Sequence, residues 1–208
     1  MSPAPTVDAV EARILGVLVE KQMTTPDTYP LTLAGVVAGC NQATSRDPVL
    51  SLDENAVEQA LVRLHDAGLA TPVRRPGDRA TKYRHKLIEA LEIDSPTVAV
   101  LAVLMLRGEQ TSGELRSRTE RYTSFATIDE VEAVIDRLEE AGLVRRLSRQ
   151  PGQSQRRVAE AISTSSATPF PAPKPEEPPE TSPDLATRLS TLEERFNELL
   201  RRLGEEDL

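Results

Sequence analysis

The sequence predicts a mainly helical α+β fold with small β-hairpins, arranged as two tandem winged helix-turn-helix domains. The first observation is an internal repeat, in which residues 57–69 match residues 131–143 with a constant offset of 74. The second is that a Pro-Gly turn between two strand-like segments follows each copy, at Pro76-Gly77 and Pro151-Gly152. Helical patterns also precede each copy. Three helices and a hairpin, occurring twice, are typical of tandem winged helices, although the same elements also allow a generic pair of α+β domains.

Residues 1–90 are predicted to form the first domain. Apolar residues recur at helical spacing from Val10 to Lys21, and a second helix is expected from about Leu31 to Gly39. The segment Ser51-Leu52-Asp53-Glu54 fits a capping box, and apolar positions 57, 60, 61 and 64 of the helix that follows share one face. Gly68 supplies the left-handed residue that ends this helix.

Residues 91–162 are predicted to form the second domain. Ser95-Pro96 opens an apolar helix that runs to Leu106, and Thr111-Ser112-Gly113-Glu114 caps a short helix. The repeated helix then begins at the capping pattern Thr127-Ile128-Asp129-Glu130 and ends at Gly142.

The last 46 residues differ in composition from the two domains. Residues 163–183 hold seven of the sixteen prolines, which predicts a disordered linker. Residues 184–208 are predicted to form an amphipathic helix, because apolar side chains recur there at heptad spacing. These side chains are Leu185, Leu189, Leu192, Phe196, Leu199 and Leu203. The pattern is compatible with self-association and with docking on the same chain.

Charge and composition exclude several classes of protein. The net charge of −8, from 25 basic and 33 acidic residues, argues against a general polyanion binder. The single Cys40 excludes an internal disulfide and a CxxC zinc site. The two histidines, His65 and His85, lie far apart with no ligand cluster near them, so we expect no metal and no cofactor. Without a catalytic set or a membrane-spanning run, we expect a non-enzymatic cytoplasmic protein.

Positive charge is concentrated on the two predicted hairpins. Residues 70–87 hold six basic side chains and one acidic one, and residues 144–158 hold five basic side chains and none that is acidic. Hairpins of this kind lie along phosphate backbones in winged-helix proteins, although basic residues on strand edges also prevent aggregation. The predicted DNA-binding residues are Arg74, Arg75, Arg79, Lys82 and Arg84 on the first hairpin and Arg145, Arg146 and Arg149 on the second. His85 would add to the charge of the first hairpin when protonated.

The repeated helices differ in how well they suit DNA. In the first copy, Asn55, Gln59 and Arg63 are the candidate base-reading residues. The second copy is strongly acidic, so its side chains would repel the phosphate backbone of DNA. This charge favours a role as a dimer surface or a protein-binding surface, or DNA contact through the hairpin alone. Its acidic residues are Asp129, Glu130, Glu132, Asp136, Glu139 and Glu140.

A polar segment around the second predicted helix is a candidate ligand or partner site. Its candidate residues are Thr25, Asp27, Tyr29, Asn41, Gln42 and Arg46. Prolines at positions 26, 30 and 48 would stiffen the segment so that it presents side chains. Side chains of these types also satisfy backbone groups in turns, so both interpretations stay open.

Several longer motifs resemble the YceH-like family of bacterial proteins of unknown function. They are Glu20-Lys21, Thr24-Thr25-Pro26-Asp27, Tyr29-Pro30-Leu31, Cys40-Asn41-Gln42, Arg46-Asp47-Pro48-Val49, Thr81-Lys82-Tyr83-Arg84-His85, Gly113-Glu114-Leu115-Arg116 and Arg149-Gln150-Pro151-Gly152-Gln153. The resemblance covers roughly residues 10–158 and implies a tandem winged-helix fold but no established activity. The chain departs from the family pattern at Ala43-Thr44-Ser45-Arg46 and at Arg157-Val158-Ala159-Glu160.

The sequence therefore predicts a DNA-associated regulatory protein, such as a transcription regulator, that binds duplex DNA through its basic hairpins. A homo-oligomer is expected through the second domain or the terminal helix, and no membrane contact is expected. The alternative is a protein-interaction scaffold. Acidic tandem winged helices bind protein rather than DNA in the chromosome segregation and condensation protein B family, which this chain resembles in its acidity.

Overall fold

The computed structural model describes residues 5–149, residues 155–163 and Glu194. Within them the chain forms seven α-helices and five short strands. The helices are α1 (Ala9–Thr24), α2 (Leu33–Cys40), α3 (Glu54–Asp66), α4 (Leu87–Leu91), α5 (Ser95–Arg107), α6 (Ser112–Thr119) and α7 (Ile128–Glu140). The strands are β1 (Leu31–Thr32), β2 (Ala70–Val73), β3 (Lys82–His85), β4 (Val144–Arg146) and β5 (Val158–Glu160). The prediction of a mainly helical α+β fold is confirmed.

The same order of elements occurs twice along the chain. Helices α1, α2 and α3 precede the antiparallel hairpin β2–β3, and helices α5, α6 and α7 precede the antiparallel hairpin β4–β5. In the first half, β1 adds to the hairpin and gives a sheet of order β1-β3-β2. Helix α4, which the sequence did not predict, connects the two halves.

Two predicted element starts are wrong. Leu31 does not begin a helix, because it pairs with Tyr83 in the sheet, and α2 begins only after Thr32 accepts a hydrogen bond from the Gly35 N–H. The predicted capping box at Ser51 is also wrong, since Asp53 is the residue that caps α3. In both cases a cap a little further along the chain provides the acceptor that the first turn needs.

The ends of the repeated helices match the prediction. Gly68 and Gly142 have φ angles of 72° and 70°, which is the left-handed region. The Leu69 N–H donates to the Leu64 carbonyl, and the Leu143 N–H donates to the Leu138 carbonyl in the same way. These are Schellman motifs, which satisfy the last carbonyl groups of a helix and turn the chain into the following strand.

The two halves share one continuous hydrophobic core. Helix α1 is buried along its length from Glu11 to Glu20 and packs against α2, α3 and α5. Gly16 permits the close approach of α5, because a Cβ atom at this position would lie 2.8 Å from Leu106 Cγ. The described residues of both halves belong to a single compact unit. The predicted boundary at residue 90 therefore stays a prediction.

The predicted proline-rich linker and terminal helix lie outside the described residues, apart from Ser163 and Glu194. Among the residues that are described, no helix combines the length and the apolarity needed to cross a bilayer.

Candidate nucleic-acid interface

The hairpin of the first half, residues 70–85, is called the first arm below. Its tip is fixed by a turn in which the Arg75 N–H donates to Asp78 Oδ2 at 2.8 Å and the Asp78 N–H donates to the Arg75 carbonyl at 3.0 Å. Pro76 and Gly77 occupy the centre of the turn, and the φ angle of 92° at Gly77 requires a residue without Cβ. The backbone hydrogen bond from Arg75 also lowers the pKa of Asp78. The tip is therefore held in one conformation.

Three arginines of this tip have free guanidinium groups. Arg74, Arg75 and Arg79 are exposed, and their side chains make no hydrogen bond or ion pair with any described residue. The other two predicted cations are paired, with Lys82 Nζ 3.6 Å from Asp78 Oδ1 and Arg84 Nη1 3.0 Å from Glu89 Oε1. Exposed pairs of this kind contribute only about 0–1 kcal/mol, so an anionic partner could displace them.

Helix α3 presents a polar face next to the first arm. Asn55 and Gln59 are exposed on it, as predicted for base-reading side chains. The Arg63 guanidinium is already engaged in two ion pairs. Its Nε donates to Glu11 Oε1 at 2.5 Å, and its Nη2 donates to Asp8 Oδ2 at 2.8 Å. The hydrogen bond to Glu11 raises the pKa of Arg63. Arg63 thus joins α3 to the start of α1 through two carboxylates, although its side chain is half exposed.

His85 does not add positive charge to the first arm. Its side chain is buried, its Nδ1 accepts a hydrogen bond from the Leu87 N–H at 3.2 Å, and burial lowers its pKa to about 4. The imidazole is therefore neutral at physiological pH, and the expectation from the sequence is wrong.

The hairpin of the second half, with its described residues 144–149 and 155–160, is called the second arm. Arg146 Nη2 lies 2.6 Å from Asp136 Oδ1 and 2.9 Å from Glu132 Oε2, and Nη1 pairs with Glu139. Burial lowers the pKa of Arg146, but the hydrogen bonds to these carboxylates outweigh it and raise the pKa overall. Arg146 is thus neutralised by α7.

The remaining cations of the second arm divide into two groups. Arg157 Nη1 donates to the Glu109 carbonyl at 2.6 Å and lies 3.4 Å from Glu114 Oε2. Arg145, Arg149 and Arg156 are exposed and make no side-chain hydrogen bond or ion pair within the described part of the chain. The second arm therefore presents less free positive charge than its sequence indicates.

Several side chains of the predicted ligand or partner site are engaged in hydrogen bonds with other residues of the chain. Arg46 is fully buried, where it contacts Glu20 Oε2 at 2.5 Å, Gln42 Oε1 at 2.8 Å and the Gly39 carbonyl at 3.0 Å. Asn41 makes hydrogen bonds of 2.8 Å to both the N–H and the carbonyl of Leu52. These contacts pin the loop between α2 and α3 to α1.

The other candidates of that site have similar roles. The Tyr29 hydroxyl accepts a hydrogen bond from the His85 N–H at 2.9 Å, and burial raises the pKa of Tyr29 to about 12. Thr25 Oγ1 donates to the Lys21 carbonyl at 3.2 Å, and Asp27 is exposed in a short 3₁₀ turn. The contacts thus favour the interpretation in which these side chains stabilise turns.

Sequence reasoning missed the contacts of two buried charged residues, Glu20 and Arg13, and of the half-buried Tyr122. Glu20 accepts hydrogen bonds from Arg46 and, at 3.2 Å, from the Tyr122 hydroxyl, which joins the two halves. Arg13 is buried, and within the described residues its guanidinium donates to two main-chain carbonyls, those of Cys40 and Pro48. Burial lowers its pKa to about 10. A charged residue between Ala12 and Ile14 on an apolar helix was a signal for Arg13, whereas nothing in the sequence pairs Tyr122 with Glu20.

These observations define a mainly helical α+β protein with two helix–hairpin units and an exposed basic tip on the first. The chain belongs to the family described as "Protein of unknown function, DUF480", whose model matches residues 7–153. This membership agrees with the resemblance to the YceH-like family.

Relatives in the same family cover most of the chain. A UPF0502 protein of Opitutus terrae is 46% identical over 176 residues, which cover 81% of this chain and 76% of the relative. A UPF0502 protein of Geotalea daltonii is 46% identical over 165 residues, which cover 78% of this chain and 75% of the relative. Because the family model matches residues 7–153, the similarity extends through both halves.

Proposed function

We propose that the protein is a DNA-associated regulator with two tandem winged-helix units, which binds duplex DNA through the first arm. The observation that carries this proposal is the group of three unpaired arginines at the fixed tip of that arm, Arg74, Arg75 and Arg79. Guanidinium groups bind phosphate with charge-assisted hydrogen bonds and release the counterions of DNA. A fixed turn reduces the conformational entropy lost when these groups bind.

The order of elements supports a winged-helix arrangement in the first half. In that arrangement the third helix enters the major groove and the hairpin lies along the backbone. Asn55 and Gln59 on α3 are suited to adenine edges, but Glu54, Glu58 and Asp66 on the same helix repel phosphate. The first arm therefore supplies most of the affinity, and α3 contributes little sequence discrimination.

The second half has a smaller part in this proposal. Its third helix, α7, is acidic, and the Arg146 guanidinium is held by α7 carboxylates. Moving this helix toward a phosphate backbone would bring like charges together.

The proposal is tested by fluorescence anisotropy with a labelled DNA duplex across a range of salt concentrations. Three phosphate contacts predict that log K falls against log salt with a slope of about −3. The double variant Arg74→Gln/Arg75→Gln should lower the magnitude of the slope by about 2, because two contacts are lost.

The matched control is Arg121→Glu, which changes the net charge by the same amount at an exposed arginine outside both arms that makes no hydrogen bond or ion pair with a described residue. We expect this control to bind DNA as the wild type does. Equal loss in the control and in the double variant would mean that binding depends only on net charge. Absence of salt-dependent binding by the wild type would refute the proposal.

A protein-interaction scaffold is the second candidate. It is favoured by the carboxylates of α7, of which Asp129 and Glu140 are exposed and have no side-chain partner within the described residues. A defined protein partner that the variant Arg74→Glu/Arg75→Glu retains at unchanged affinity would support the scaffold. The predicted homo-oligomer stays a prediction, which sedimentation velocity of the full chain would test.

A further inference from the structure

A cavity of about 350 Å³ lies between the second arm and the starts of α6 and α7. Its described lining includes the arginines Arg146, Arg149 and Arg156 and a single carboxylate, Glu132. The cavity therefore has a positive lining, although the chain as a whole carries a net charge of −8.

The two outer arginines of this cavity have no counter-charge within the described chain. Glu132 is already engaged, because it accepts hydrogen bonds from Arg146 and from the Ser112 hydroxyl. Arg149 and Arg156 are exposed, and their side chains make no hydrogen bond or ion pair with a described residue. Two unpaired guanidinium groups on the lining of one cavity offer a bound oxyanion charge-assisted hydrogen-bond donors.

The volume of the cavity indicates a ligand that is larger than a bare ion. Small-molecule sites enclose about 300–1,000 Å³, and this cavity lies at the lower end of that range. Part of its wall is apolar, formed by the buried Val158 and by Ile128, which is 46% exposed. Ile128 lines the same cavity as Arg149 and Arg156, and its exposed side chain provides a surface for an apolar or planar group of a ligand.

We propose that this cavity binds a phosphorylated small molecule of about mononucleotide size. Arg149 and Arg156 hold the phosphate group as planar hydrogen-bond donors, and Ile128 packs against the planar part of the ligand. This site uses none of the first-arm arginines, so it is independent of the proposed DNA contact.

The test measures binding of three probes to the full chain: inorganic phosphate, pyrophosphate and adenosine 5′-monophosphate. Calorimetry gives Kd, and thermal denaturation followed by circular dichroism gives the increase in Tm that ligand binding produces. The test variant is Arg149→Gln/Arg156→Gln. The control is Arg145→Gln, because Arg145 is exposed on the same arm but lines a different cavity.

We expect adenosine monophosphate to raise the Tm of the wild type and of the control equally. The double variant should keep the unliganded Tm but bind the nucleotide at least tenfold more weakly, since each charge-assisted hydrogen bond contributes about tenfold or more in affinity. Inorganic phosphate should bind more weakly than the nucleotide, because it makes no contact with Ile128.

Several results would overturn the proposal. One is a wild-type Tm that none of the three probes changes, and another is an equal response of the double variant and the wild type. Equal Kd values for inorganic phosphate and the nucleotide would refute the assignment of ligand size. If the double variant loses affinity only for duplex DNA, the cavity is a contact for backbone phosphate, and the small-molecule proposal is wrong.

Discussion

The buried contact between Glu20 and Arg46 gives the most decisive prediction about stability. Both side chains are almost fully buried, with 3% and 0% of their surface exposed, and Arg46 donates to both carboxylate oxygens of Glu20. The change Glu20→Gln keeps the shape of the side chain but leaves the Arg46 guanidinium buried without its anion. Removing one partner of a buried pair costs about 3–5 kcal/mol, so we expect the free energy of unfolding to fall by that amount.

The assay is urea denaturation at neutral pH followed by circular dichroism. The control is Arg84→Gln, which breaks the ion pair with Glu89, whose two side chains are 41% and 52% exposed. Solvent screens this pair, so the control should cost about 0–1 kcal/mol. Equal losses in the two variants, or a loss below about 1 kcal/mol for Glu20→Gln, would refute the reasoning that burial sets the cost.

Two further predictions concern close packing and pH. Gly16→Ala should destabilise the fold by about 1–3 kcal/mol in the same assay, because the new Cβ would lie 2.8 Å from Leu106 Cγ. Gly113→Ala, where no atom lies within 4 Å of a new Cβ, should leave stability unchanged or increase it by up to about 1 kcal/mol. Burial lowers the folded-state pKa of His85 to about 4, so the unfolded chain binds the proton more readily than the folded chain. The free energy of unfolding should therefore fall by up to about 3 kcal/mol as pH drops from about 6.5 toward 4. The variant His85→Asn should lack this decrease, and an identical pH dependence in the wild type and the variant would contradict the assignment to His85.

Local patterns in the sequence predicted the repeated framework well. The 74-residue repeat located α3 and α7, and the glycines at positions 68 and 142 ended both helices with the same hydrogen bonds. These features depend on residues within one or two turns of each other, so spacing along the chain is sufficient to find them. The misplaced starts of α2 and α3 have a different cause, because several residues in each segment could serve as the cap.

The ion pairs of Arg63 and Arg46 could not be predicted, because their partners are distant in sequence. Arg63 contacts residues 52 and 55 positions away, and Arg46 contacts a residue 26 positions away. For Arg146 both signals were visible, since the second hairpin is basic and the repeated helix before it is acidic. Only the fold shows that Arg146 faces this helix and is neutralised by its carboxylates.

The burial of α1 on both of its sides also affects how the duplicated halves can exist. Residues from Ile14 to Val19 pack against helices of their own half and against α5 of the other half. A fragment that ended at residue 90 would leave the α5-facing side of this helix in water, and the remaining fragment would lose the surface that covers α5. We therefore expect a fragment of either half alone to be less stable than the full chain, because each half covers apolar surface of the other.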